Sequence, residues 1–147
     1  MSSEKLSAED KALLEEDKRI REEELRKKRE EVMAKFAKMG IEENWDGSFT
    51  HRFSSNFEFV SHVADIIDQI GIDLTYTYDR WFRLAFCLAN EFGEEGRSIF
   101  HRLSSHHPEY DYYETDKRYT EQLTNTRGSI TLGSLIYWLK EDGVIGE

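Results

Sequence analysis

Cysteine and proline are nearly missing from this chain: one of each stands among 147 residues. A lone Cys87 rules out an internal disulfide. Lying in an apolar helical run, it reads as a small buried hydrophobe in a reducing compartment rather than a reactive thiol. Pro108 falls between two helical runs, so it breaks neither. No stretch approaches the length of apolar chain that spans a bilayer, and the opening MSSEKLSAEDKALLEED is too polar for a secretory leader. A soluble, cytoplasmic protein is expected. Useful lengths of period-two alternation are missing too, as are a GxxxxGK[ST] phosphate loop and a GxSxG nucleophile elbow. These absences disfavour a sheet protein, a helicase ATPase and an α/β-hydrolase.

Positive charge is also scarce, but unevenly. The formal net charge is -10. Residues 1–39 hold 11 acids and 11 bases and balance to zero; residues 40–147 hold 19 acids against 9 bases and carry the whole excess. Phosphate neutralisation supplies most nucleic-acid affinity, so a nucleic-acid contact on this body has to be local or supplied by a partner.

What the chain has is helical periodicity. Residues 7–39 predict one long charged helix, opened by Ser7 and Asp10 as an approximate capping box and stopped by Gly40. Glu22/Arg26, Glu23/Lys27, Glu24/Lys28 and Glu31/Lys35 are acid-first pairs at i,i+4. Leu6, Leu13 and Ile20 step by seven, as do Leu25, Val32 and Met39, but out of phase, so no coiled-coil seam is sustained. The helix is either a solvated charged rod or a docking arm; its apolar end, Val32 to Ala37, is expected to pack on the body. Residues 41–56 have no period. Trp45, Phe49 and Phe53 should lay this connector across the core surface, with an aromatic peptide-binding strip as the alternative.

Five further helices follow. The second, about 57–71, opens on Ser55/Glu58 and turns Phe57, Val60, Ala64 and Ile67 to one face, widened by Val63, Ile66 and Ile70. The third, about 78–92, is apolar almost all round and should be the central helix. The fourth, about 94–105, presents Ile99, Phe100 and Leu103. Asp111/Glu114 cap a fifth at about 112–125. Thr131 caps a sixth, which carries Leu132, Leu135, Ile136, Trp138 and Leu139 and stops at Gly143. The expected fold is all-α: a compact bundle of about five helices behind a long charged N-terminal helix. The expected divisions are 1–40 as extension, 41–56 as connector and 57–147 as domain.

Three stretches carry a family likeness: GIDLTYTYDRWFRLAFCLANEFGEEGR at Gly71–Arg97, FHRLSSHHPEYDYYETDKRY at Phe100–Tyr119, and GSITLGSLIYWLKEDGV at Gly128–Val144. In order and spacing, residues 57–145 resemble the primase C-terminal type-2 family. These are small helical domains that usually follow a primase-type or VirE-like domain in replication proteins of bacterial mobile elements and phages. The resemblance implies an accessory role beside DNA priming or unwinding and not primase chemistry. Residues 1–56 are too short for a primase domain and hold no acidic metal-binding pair on strand-like sequence.

His101, His106 and His107 near Glu109 and Asp111 match no standard zinc pattern, and Cys87 has no partner cysteine. Ser98, Ser104 and Ser105 lie near histidines but in no catalytic motif. No catalytic residue, metal or cofactor is expected. The candidate contact residues for nucleic acid or a partner are Arg80, Arg83, Arg97, His101, Arg102, Lys117, Arg118 and Arg127. Arginine's planar fork suits phosphate. The competing use is ion pairing with acids such as Asp79, Glu94, Glu95 or Asp116, and it is favoured because acids outnumber bases two to one. Tyr110, Tyr112 and Tyr113 can stack on single-stranded bases or close the core.

The sequence therefore reads as a non-catalytic adaptor associated with DNA priming or replication. It would act through local arginine contacts and protein docking, with a primase or helicase-type protein as partner and single-stranded DNA as a candidate ligand. The rival reading is an acidic protein-interaction module that binds no nucleic acid, such as a phage-encoded inhibitor or a defence-complex subunit.

Overall fold

The computed structural model describes residues 7–125 and 130–145. Helix α1 spans Ala8–Ala37, with Ser7 Oγ accepting the Asp10 N–H. Thirty residues make a rod about 45 Å long, yet only Val32 and Phe36 on it are buried. Leu13, Leu14, Ile20 and Leu25 are exposed. The end of the rod packs on α2 (Asn56–Ile70) as its apolar density requires. Its ion pairs are Asp17–Arg21, Glu23–Arg26 and Arg26–Glu30, not the four acid-first pairs expected. On this helix several charges have more than one opposite charge three or four residues away, as Arg26 has Glu22, Glu23 and Glu30, so spacing alone does not choose the partner.

The connector is where expectation and structure part. Glu42–Glu43 (β1) and Phe49–Thr50 (β2) form a small antiparallel ladder, with Glu42 opposite Thr50 and Glu43 opposite Phe49. It is set by its turn rather than by alternation. The Asp46 carboxylate accepts from both the N–H and the hydroxyl of Ser48, and Gly47 takes a φ of 88°, the local side-chain-to-backbone bonding that makes Asx turns. Phe49 and Phe53 do lie on the core, where both rings meet Phe59. Trp45 does not; it sits in the turn, 98% exposed.

Helix α3 (Tyr78–Phe92) is the centre of the body, touching α4 (Arg97–Ser104), α5 (Tyr112–Leu123) and α6 (Leu132–Glu141). Leu84, Ala85, Phe86, Cys87, Leu88 and Ala89 are buried along it. Ser55, Thr77, Asp111 and Thr131 cap α2, α3, α5 and α6. The run expected as one helix over 94–105 is divided: a 3-10 turn covers Gly93–Gly96 before α4 begins. The cause is Tyr119 of α5. Its buried hydroxyl donates to the Gly93 carbonyl at 2.5 Å and lies 2.3 Å from where a Cβ on Gly96 would stand, so only glycine admits this crossing.

Candidate functional site

The candidate cations are distributed among the seams of the bundle. Arg80 is 5% exposed despite its charge. Its guanidinium donates to Asp142 at 2.7 Å and Glu141 at 2.8 Å, and lies 4.7 Å over the Tyr76 ring, tying the start of α3 to the end of α6. Arg83 pairs with Asp79 at 3.0 Å on the surface. Arg97 takes Glu94 with two nitrogens, at 2.9 and 3.0 Å, and reaches Asp116 and Thr120 with a third. Arg102 bridges from α4 to Asp65 and Asp68 of α2, at 2.6 and 2.8 Å. Arg118 donates to Glu121 at 3.2 Å and to the Tyr78 hydroxyl at 2.7 Å. Lys117 is in no ion pair among the described residues, and Arg127 lies outside them. Asp79, Glu94 and Asp116 thus serve as the expected pairing partners. Glu121 serves Arg118 at the local i,i+3 spacing, and Asp65, Asp68, Glu141 and Asp142 serve as well, though nothing in their spacing points to them.

The histidines are likewise held by neighbours. His101 sits between Asp116, 3.0 Å from Nε2, and the Tyr110 hydroxyl, 2.8 Å from Nδ1, and its ring stacks on Tyr112. His106 Nε2 meets Asp68 at 2.8 Å. His107 Nδ1 accepts the Glu109 N–H. Among the described residues no three His, Cys, Asp or Glu side chains are grouped to hold a metal ion.

These contacts set the local acid–base character. The hydrogen bond from His101 lowers the Asp116 carboxyl most; burial opposes it, and Arg97 lowers it further, to below its ordinary range. Burial pulls the Asp68 carboxyl upward, but hydrogen bonds from Arg102 and His106 outweigh it and leave the group low. Burial, and then the charge of Glu91, push the Cys87 thiol up to about 12, far from the thiolate that a nucleophile needs. Among the described residues no serine hydroxyl bonds a histidine ring: Ser104 accepts from the Trp81 indole and Ser105 donates to the Arg102 carbonyl.

One concave feature combines aromatic walls with concentrated charge. A cleft of about 260 Å³ opens between the start of α3 and the loop that joins α4 to α5. Tyr78, Trp81 and Tyr110 form its walls. The hydroxyls of Thr75, Ser104 and Thr115 come from its buried floor, and Glu109, Asp111 and Glu114 stand at its exposed rim. Past Tyr78 and Trp81 a shallower groove runs on to Lys117, Arg118 and Glu121.

The family model described as primase C terminal 2 (PriCT-2) matches residues 63–138, just over half of the chain. The chain belongs to this family. No curated protein and no solved structure matches it. The matched span begins inside α2 and ends inside α6, so the cleft and the arginine-bearing seams lie within the PriCT-2 domain or at its edge, while α1 and the hairpin lie before it. Within the PriCT-2 domain the structure brings Arg97 and His101 together at Asp116, and places Lys117 and Arg118 along one groove. Arg80 and Arg102 are held at other seams. The cleft residues escaped the sequence reading because their roles looked local. Asp111 and Glu114 read as a capping box and Glu109 as a neighbour of histidines, and nothing in the sequence singles out Thr115. No helix among the described residues is long and apolar enough to cross a membrane.

Proposed function

We propose that this chain is a non-catalytic accessory module of DNA priming or replication, of the kind carried by mobile elements and phages, and that it works by docking a primase or helicase-type protein. The replication setting follows from membership of the PriCT-2 family. The observation that carries docking over DNA contact is the commitment of the arginines. Arg80, Arg83, Arg97, Arg102 and Arg118 each face a carboxylate of the chain itself. A phosphate would have to displace those carboxylates while approaching a body whose net charge over residues 40–147 is -10. Counterion release then yields little affinity. Trp45, exposed in the hairpin turn, is the type of residue that anchors protein interfaces. The high Cys87 thiol and the histidines held by neighbouring groups support a role without turnover.

The test pairs two measurements on the full chain. Fluorescence anisotropy with labelled oligothymidylate at low salt is expected to show no binding. Sedimentation with the purified primase or helicase of the same replication unit is expected to show a complex. DNA binding that weakens steeply with salt and vanishes when Arg97, Arg102 and Arg118 are replaced together would instead establish arginine–phosphate contact as the mechanism.

A further inference from the structure

We infer that the cleft between α3 and the α4–α5 loop receives a single cationic side chain, arginine in preference to lysine, from a basic segment of the partner protein. The inference rests on the docking reading above and names what the docked surface recognises. Four features of the cleft support it.

The lining accepts and does not donate charge. Glu109, Asp111 and Glu114 stand at the rim, and none of the three is in an ion pair among the described residues. Asp111 uses one oxygen to cap α5 through the Glu114 N–H, at 2.9 Å. His107 is the one basic side chain in the lining, and its Nδ1 is already engaged by the Glu109 N–H. An anion entering here would face three carboxylates and no cation. A guanidinium, with five donors and no acceptor, meets the complementary set.

The floor has unused hydrogen-bonding capacity. Thr115 is 2% exposed, lines the cleft, and its hydroxyl has no partner among the described residues. Ser104, equally buried, accepts from the Trp81 indole at 3.1 Å, and its own proton has no acceptor there. Both residues line the cleft, so this capacity is open to a group that enters it.

The walls already hold one guanidinium. Arg118 lies over the rings of Tyr78, Trp81 and Phe82, at 5.6, 5.5 and 5.2 Å from their centroids. Tyr78 and Trp81 also line the cleft, with Tyr110 added. A flat, weakly hydrated cation gains from such faces more than a compact ammonium does.

The volume fits one inserted side chain. About 260 Å³ falls below the roughly 300–1,000 Å³ of small-molecule sites. The groove beyond is lined by Lys117, Arg118, Glu114 and Glu121, of both signs, so the backbone that follows the inserted residue meets polar groups.

The experiment titrates the isotope-labelled full chain with acetyl-Gly-Arg-Gly-amide and with the same peptide carrying citrulline, which keeps the shape and removes the charge. Saturable shifts of the Trp81 indole and of the amides of residues 109–115 are expected with arginine, at a dissociation constant of about 1 mM. Citrulline should leave them unmoved, and lysine should bind more weakly than arginine. Joint replacement Glu109→Gln and Glu114→Gln, both exposed and both isosteric, should weaken arginine binding about fivefold. Thr115→Val should weaken it independently of those charges. Equal shifts with citrulline, or shifts outside the cleft, overturn the inference. If the peptide fails while the primase or helicase still binds, the cleft assignment falls and docking stands. If oligothymidylate shifts the cleft residues instead, both readings fall.

Discussion

Arginine meets carboxylate in two ways in this molecule. On α1 the pairs join residues three or four apart, Arg21 with Asp17 and Arg26 with Glu23 and Glu30, and every side chain involved is at least half exposed. In the body Arg83, Arg97 and Arg118 also have partners three or four residues away, but a second set of pairs spans the chain. Arg80 reaches residues 61 and 62 positions away, Arg102 reaches 34 and 37 back, and Arg97 reaches 19 forward. The first kind decorates a helix that would exist without it. The second fastens helices that share no turn, and it removes from the surface the cations that a nucleic-acid binder would display. Ion pairs across partly buried seams are held in fixed geometry by packing, whereas solvated pairs lose most of their Coulomb gain to water and side-chain entropy.

The sharpest way to break this contrast is Arg80→Ala. It strands Asp142, whose side chain is 15% exposed, beside an emptied guanidinium site. A stability loss of about 3 kcal/mol is expected by urea unfolding; a loss as small as that of a surface pair would erase the distinction. Next comes Gly96→Ala, which tests the tightness of the body without touching a charge. Its Cβ would meet the Tyr119 hydroxyl at 2.3 Å and the Leu88 carbonyl at 3.0 Å. Overpacking of this kind costs about 1–3 kcal/mol, and Gly96→Ala combined with Tyr119→Phe should recover part of it.

Acid sharpens the comparison further. Asp68 and Asp116 have carboxyls lowered in the folded state. Their contribution is present above the unfolded carboxylate pKa of about 3.9 and is lost as pH falls through the lower folded values. Stability should therefore decline below about pH 4, and Arg102→Gln should flatten the decline by releasing Asp68 from one of its two hydrogen-bond donors. Urea midpoints across that range report it; an unchanged slope would mean that the α2–α4 seam is not held by charge.

The smallest effects belong to α1. Arg26→Ala should cost no more than about 0.5 kcal/mol. Removing residues 1–31, which ends the cut just before buried Val32, should leave the melting temperature of the body unchanged while reducing helical circular dichroism. A fall of several degrees would show that the rod is part of the folded unit after all. If the truncated chain also loses the primase or helicase partner, the rod is a docking arm.

Much of the fold was legible because its signals are local. Ser7, Ser55, Asp111 and Thr131 announce helix starts through their own hydroxyls or carboxylate, and Gly143 announces a stop that its φ of 73° confirms. The hairpin was not legible. Its ladder is two residues long on each side, too short for any period, and it is fixed by Asp46, Ser48 and a salt bridge from Lys140 to Glu43. Trp45 was misplaced for the same reason, because a turn residue's direction depends on the turn. The division of 93–104 was hidden because it depends on Tyr119, more than twenty residues away.

By itself the sequence determined the all-helical class, the helix ends outside 93–104, the separation of a charge-balanced rod from an acidic body, and the PriCT-2 kinship, since all of these are written in residue order over a few turns. Only the tertiary structure decided which distant acids Arg80 and Arg102 face and that Glu109, Glu114 and Thr115 share one aromatic cleft. Those outcomes depend on how separate helices cross, and the energy of a crossing is set by side chains that are distant in the chain.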